Sequence, residues 1–279
     1  MHIRKILTGA AVVMPGVAAL VAVTATSASA AATAPPGYRI VRTANLAAPP
    51  SIFNTTGQAS CPTGTVPWGG GVSMSNGFAA VGTSINTSEP VAGSWRARVN
   101  NASGTAQSFR VDVICAKQPK GYKVAFASAD NPPHDNTPAT ASCPTGTVVL
   151  SGGALSTSDT TAEAITSLGP NGSHGYSAFI ANTSNVDQHL TVFAVCAAKP
   201  PKYAIVSQSV SDMGPDDPVE TPVCPAGTSV LGGGFKVAAP GFDIPIAGSL
   251  DEDRHGWFGE AVNQRSGATV VTGQAICGA

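Results

Sequence analysis

The placement of six cysteines constrains this chain more than any other feature. Cys61, Cys143 and Cys224 follow one another at 82 and 81 residues, and Cys115, Cys196 and Cys277 at 81 and 81. Fixed spacing of this kind marks an internal repeat. The first series heads three versions of one motif, CPTGTVPWGGG from Cys61, CPTGTVVLSGG from Cys143 and CPAGTSVLGGG from Cys224. A tyrosine opens each copy, in PPGYRIV at Tyr38, PKGYKVA at Tyr122 and PPKYAIV at Tyr203. Proline and lysine at these junctions read as boundaries. The chain thus divides into residues 37–119, 120–200 and 201–279, behind a short linker at 31–36.

Each copy ends on a strict period-two alternation. Phe109, Val111, Val113 and Cys115 share one face, as do Leu190, Val192, Ala194 and Cys196, and Val271, Gly273, Ala275 and Cys277. The segment before it alternates in the same way: Trp95, Ala97, Val99 and Asn101, then Tyr176, Ala178, Ile180 and Asn182, then Trp257, Gly259, Ala261 and Asn263. Alternation rich in β-branched residues predicts half-buried strands, with the aromatic and the asparagine on the inner face. A short polar loop such as NASGTAQ between the two strands predicts a hairpin. The expected fold is all-β, three similar disulfide-pinned antiparallel β-sandwich modules in tandem, with a closed pseudo-threefold β-prism as the alternative.

The amino terminus predicts where the chain works. Arg4 and Lys5, an apolar run from Ile6 to Val23 and the small-residue stretch TATSASA read as a secretory signal over residues 1–30, cleaved after Ala30. No second apolar span follows, so no permanent membrane anchor is expected. Six cysteines in an exported chain imply disulfides, and six allow 15 pairings. Repeat symmetry selects Cys61–Cys115, Cys143–Cys196 and Cys224–Cys277. Each closes a loop of fifty-odd residues, worth roughly 4 kcal/mol in the chain-entropy model. A module of about eighty residues has a small core and needs such help.

Without residues 1–30 the balance is 13 basic against 16 acidic residues, a net −3. That provides no field for nucleic acid. The charge is unevenly shared: +5 over residues 37–120, −3 over 121–201 and −5 over 202–279. Arg96, Arg98 and Arg110 fall on outward strand positions in the first copy and predict a basic patch for an anionic polymer or for the acidic third copy of another molecule. Trp68 stands where the sister copies have Leu150 and Leu231. It reads as core, with a sugar-stacking platform as the alternative.

The glycine run invites a phosphate-loop reading, but VSMS, ALST and FKVA follow it, with no helix start and no Lys-Ser/Thr ending. The better expectation is a flat glycine seat beneath Trp95, Tyr176 and Trp257. His174 and His255 precede the aromatic by two residues where the first copy has Gly93, and read as turn residues. Asp251, Glu252 and Asp253, and the pair Asp216 and Asp217, lack calcium-loop spacing and do not recur, so no metal is expected. No cofactor is expected either.

The order Tyr, CPxGT, GGG, aromatic, Asn, Cys resembles small exported bacterial modules of unknown function that carry a CPxGT…GGG signature, over nearly all of the chain after residue 30. That resemblance implies the module but no activity. The CP-x-G start and the threefold repetition are fainter likenesses to the vitelline membrane outer layer protein and its β-prism, whose repeat is shorter. The chain contains no GxSxG elbow and no HExxH, and pairing all six cysteines leaves no thiol nucleophile. The expectation is a non-catalytic binding or adhesion protein for extracellular or cell-wall polysaccharide. The alternatives are a structural, self-associating surface protein and an enzyme of unrecognised type.

Overall fold

The structure is a computed structural model that describes residues 34–74, 82–158, 160–213, 222–242, 245–252, 255–264, 267 and 269–279. The expected export signal and its cleavage point lie outside the described residues. The first copy supplies β1 (Arg39–Arg42), β2 (Leu46–Ala48), β3 (Ile52–Ser60), β4 (Val66–Met74), β5 (Thr83–Val91), β6 (Ser94–Asn101) and β7 (Gln107–Ala116). The second supplies β8 (Lys123–Asn131), β9 (Asp135–Ser142), β10 (Val148–Ser156), β11 (Glu163–Pro170), β12 (Gly175–Asn182) and β13 (Gln188–Ala197). The third supplies β14 (Ala204–Met213), β15 (Ser229–Val237), β16 (Ile246–Glu252), β17 (Gly256–Ala261) and β18 (Thr269–Gly278). The protein is all-β, with no helix among the described residues.

Among the described residues three six-stranded sheets result, each drawn from two copies. The first runs β1-β7-β4-β16-β17, with β2 also on β7; the second runs β3-β6-β5-β10-β13-β8; the third runs β14-β18-β15-β11-β12-β9. The seams lie at equivalent positions: Val72 opposite Ser249, Ala154 opposite Ser88, and Phe235 opposite Leu168. Because the third copy returns β16 and β17 to the first copy's sheet, the sharing closes in a ring. Strand pairing therefore crosses the sequence boundaries at 119/120 and 200/201.

Within a copy the two half-sheets still stack face to face. A Cβ added to Gly57 of β3 would overlap Val111 and Phe109 of β7, 2.8 and 2.9 Å away. This corrects the expected hairpin: β6 and β7 belong to different sheets, and the polar loop between them arches from one layer to the other. The reason is burial. Trp95, Ala97 and Val99 on β6 and Phe109, Val111 and Val113 on β7 are all fully buried, and a small module covers both faces only by stacking them. The true hairpins are β5–β6, β11–β12 and β16–β17. The buried residues of all three copies form one continuous core.

Candidate functional site

The CPxGT motif is a turn. Thr65, Thr147 and Thr228 donate backbone N–H bonds to Pro62, Pro144 and Pro225 at 3.1, 3.0 and 3.1 Å. Their hydroxyls reach the same carbonyls at 2.6 Å. The glycine between takes φ of 82, 80 and 78°, a left-handed conformation that a side chain would strain. The cysteine before it is tied by its own N–H to the carbonyl of Gly93, His174 or His255. That position needs only a backbone oxygen, which is why glycine serves as well as histidine. The disulfides join Cys61 to Cys115, Cys143 to Cys196 and Cys224 to Cys277, with Cα separations of 5.6, 5.6 and 5.7 Å.

The glycines after the turn have separate tasks. Side chains at Gly70, Gly152 and Gly233 would overlap the rings of Trp95, Tyr176 and Trp257, so the middle glycine is the ring's seat. Gly69 and Gly232 both crowd Ser151, where the bulged strands β4, β10 and β15 meet. The bulge leaves the carbonyls of Pro67, Val149 and Val230 to other partners. Tyr122 donates its hydroxyl to Pro67, Tyr203 to Val149 and Tyr38 to Val230, at 2.7, 2.8 and 2.7 Å. Each opening tyrosine thus grips the preceding copy in cyclic order, and burial pushes the Tyr122 phenol up to about 12.

The inner asparagines hold the arches. Asn101 donates to the carbonyls of Ala48, Pro49 and Thr105 and accepts from Ser103. Asn182 makes the equivalent set with Asn131, Pro132, Val186 and Ser184. Asn263 donates to Gly267. These are structural positions, as is Trp68, which is 4% exposed and donates its ring N–H to the Lys117 carbonyl at 3.1 Å.

The expected arginine patch does not assemble. Arg96 and Arg98 lie on β6 in the second sheet and Arg110 on β7 in the first. Arg96 is bonded through Nε at 2.8 Å, and also through Nη2, to the buried Glu89. Arg110 stands 3.7 Å from the buried Asp112, whose other oxygen accepts from Arg42 at 3.0 Å. Glu89 and Asp112, the two acids of the first copy, thus hold Arg96 and Arg110 in separate sheets, while the net +5 of that copy stays spread over it.

Two buried carboxyls are pushed up, both by desolvation first. Asp112 is partly offset by its Arg42 hydrogen bond and by the Arg110 and Arg42 charges. Glu163 is fully buried and accepts from Asn131 at 2.7 Å, from the Ser158 N–H at 3.1 Å and from the Ser156 hydroxyl. The strand end it organises is held from the first copy as well, since Asn54 and Asn86 donate to the Ser158 carbonyl and Asn100 to Thr160 and Glu163. The Glu163 carboxyl therefore clamps β8, β10 and β11 within the second copy, and the first copy holds the same strand end through its backbone carbonyls. Among the described residues no three His, Cys, Asp or Glu side chains gather as metal ligands. The Asp251–Asp253 and Asp216–Asp217 side chains lie outside the described residues.

Two surface features remain. A depression of roughly 190 Å³ collects matching residues of all three copies, Ser84, Ala164 and Pro245, beside Ala102, Thr183 and Gln264. It is smaller than the usual 300–1,000 Å³ ligand pocket, and no titratable residue is among those lining it. The second is a ladder of cross-strand pairs on the outward face of β8 and β13. Phe126 lies opposite Phe193, Ser128 and Thr191 share a hydroxyl bond of 2.8 Å, and Asp130 meets His189 at 2.9 Å. Phe126 is 71% exposed. The pairs equivalent to Phe126–Phe193 are Arg42–Asp112 in the first sheet and Ser207–Gln274 in the third. One scaffold position thus carries an ion pair, an aromatic pair and a neutral polar pair on its three faces.

The signal for this ladder was present in AFASAD, where Phe126 shares the polar phase with Ser128 and Asp130 while Ala125, Ala127 and Ala129 take the inner phase. Comparison of the chain with profiles of known protein families and with curated protein sequences yields no significant match.

Proposed function

We propose that the protein is a secreted, non-catalytic binding module for an extracellular or cell-wall carbohydrate polymer. The observation that carries this reading is the ladder on β8 and β13, where the exposed Phe126 and its half-buried partner Phe193 are continued by a hydroxyl pair and an Asp130–His189 pair along one sheet face. Aromatic rings offer the C–H faces of sugar rings a large apolar partner, while polar groups beside them fix orientation. Three disulfides suit an oxidising compartment outside the cell. The two buried carboxyls support a binding scaffold over an enzyme, because each is already engaged by hydrogen bonds or an ion pair of the fold. Only one of the three faces carries the aromatic pair, so avidity does not come from three like sites.

The test is retention of the oxidised protein on insoluble cell-wall and polysaccharide preparations at low and high salt. Retention should survive high salt, fall about tenfold with Phe126→Ala or Phe193→Ala, a loss of ~1.4 kcal/mol, and be indifferent to neutralising Arg96, Arg98 and Arg110. Retention that vanishes with salt and with the arginines would put the contact on charge. No retention on any preparation would give precedence to the structural reading.

A further inference from the structure

Each of the three sheets ends in outer edge strands, and a bare edge is a template for another strand. Four of the six edges are interrupted, and at a fifth, β17, Val223 already bridges Gly256. The β1–β2 edge is broken at Thr43, whose hydroxyl and N–H both bond Val111 on β7. The β3 edge shifts register between Ile52 and Thr55, with Asn54 at φ 56°. β9 contains Pro138, and β14 shifts register between Val210 and Met213. β8 has none of these devices: all nine residues from Lys123 to Asn131 pair in unbroken register with β13, it holds no proline, and its other side is the end of the second sheet.

We infer that two copies of this chain pair edge to edge along β8, antiparallel about a twofold axis at Phe126. Three observations select a second copy as the occupant. The first is Phe126 itself, 71% exposed and, among the described residues, more so than the other exposed large hydrophobics, Val186, Val223, Phe242 and Val270. A twofold at this residue sets Phe126 opposite Phe126 of the second copy on one face, so each ring covers the near edge of the other and leaves its outward surface open. The second is charge order: Lys123 stands at the start of the strand and Asp130 near its end, on opposite faces, so antiparallel pairing sets each copy's positive end beside the other's negative end, while parallel pairing sets like ends together. The third is closure, because a twofold pairing of one edge with itself uses the edge up and stops at two.

The pairing would join two second sheets into one continuous sheet of twelve strands, a count that follows from six in each. Its outward face would carry both Phe126–Phe193 pairs side by side. The pairing stands without the carbohydrate reading; the consequence that it assembles a double-width aromatic platform, and so supplies the avidity one molecule lacks, rests on that reading.

The experiment is the solution mass of the oxidised protein by sedimentation across a concentration series, for the natural chain, for Phe126→Asp, for Phe126→Lys and for an equimolar mixture of the two variants. The natural chain should reach twice the monomer mass. Each variant alone should stay monomeric, because like charges then face each other across the axis, and the mixture should regain the dimer. Position 126 is exposed, so neither change threatens the fold, and the mixture shows that both variants are competent partners. A natural chain that stays monomeric throughout overturns the proposal, as does a Phe126→Asp variant that dimerises unchanged. A mass that climbs past the dimer also overturns it, since that reports open-ended pairing between unlike edges. Phe193→Ala leaves the edge intact and should dimerise normally while losing polymer retention, which separates failure of the pairing from failure of the binding reading.

Discussion

At the residue scale the three copies solve one packing problem with two chemical answers. Trp95 donates its ring N–H to the Ser88 hydroxyl at 3.0 Å, and Trp257 does the same to Ser249 at 2.8 Å. In the second copy the ring is Tyr176, the serine is replaced by Leu168, and the tyrosine hydroxyl turns instead to the Gly233 carbonyl at 2.8 Å. Aromatic and partner have to change together, because a buried donor without an acceptor costs about 1–3 kcal/mol. Tyr176→Trp alone should therefore destabilise by roughly 2 kcal/mol, and adding Leu168→Ser should recover part of the loss. Chemical denaturation of the two single variants and the double reads the coupling directly; additive losses would show that ring and partner are independent. The seat beneath the ring was legible in the sequence, because the glycine triplet and the aromatic recur at fixed spacing. The Trp–Ser bond was not, because Ser88, Leu168 and Ser249 differ in type and carry no local mark.

At the scale of elements, periodicity disclosed the strands and even their inner faces, since alternation is a property of a few consecutive residues. It did not disclose which strands pair. β6 and β7 are consecutive, amphipathic and joined by a short loop, which is the usual description of a hairpin, yet Asn101 and Asn182 turn the loop into an arch between layers. The arginines misled for the same reason: Arg96 meets Glu89 only because β5 pairs with β6. The Glu163 carboxyl, which ties β8, β10 and β11 of the second copy together, belongs to this scale and has a pH signature. Its carboxyl is pushed above the ordinary value of 4.5 by burial, so the folded chain holds a proton that the unfolded chain has released. Folding stability should then fall as pH rises from about 4.5 through the raised value, and Asp112 acts in the same direction from 3.8. Below both ordinary values neither group contributes a slope. Midpoints of urea unfolding between about pH 4 and pH 8, compared with Glu163→Gln, should show the variant losing part of that fall. An identical fall in the variant, or a natural chain whose stability rises over this range relative to it, would remove Glu163 as the cause.

At the scale of the whole molecule, the copies depend on one another more than their sequence boundaries suggest. A single copy holds two half-sheets with bare inner edges at β4 and β5, β10 and β11, or β15 and β16, and each edge is completed by a neighbour. The opening tyrosines close the same ring in the same order. This long-range closure leaves no trace in spacing, because three identical intervals serve separate modules and interlocked ones alike. It has a thermodynamic consequence. Separate modules unfold one by one, whereas copies that complete each other's sheets lose their partners together. The direct measurement is scanning calorimetry of the oxidised full chain. The ring predicts one transition over all three copies, with calorimetric and van't Hoff enthalpies equal. Three resolved transitions, or a calorimetric enthalpy about three times the van't Hoff value, would contradict the interlocked ring.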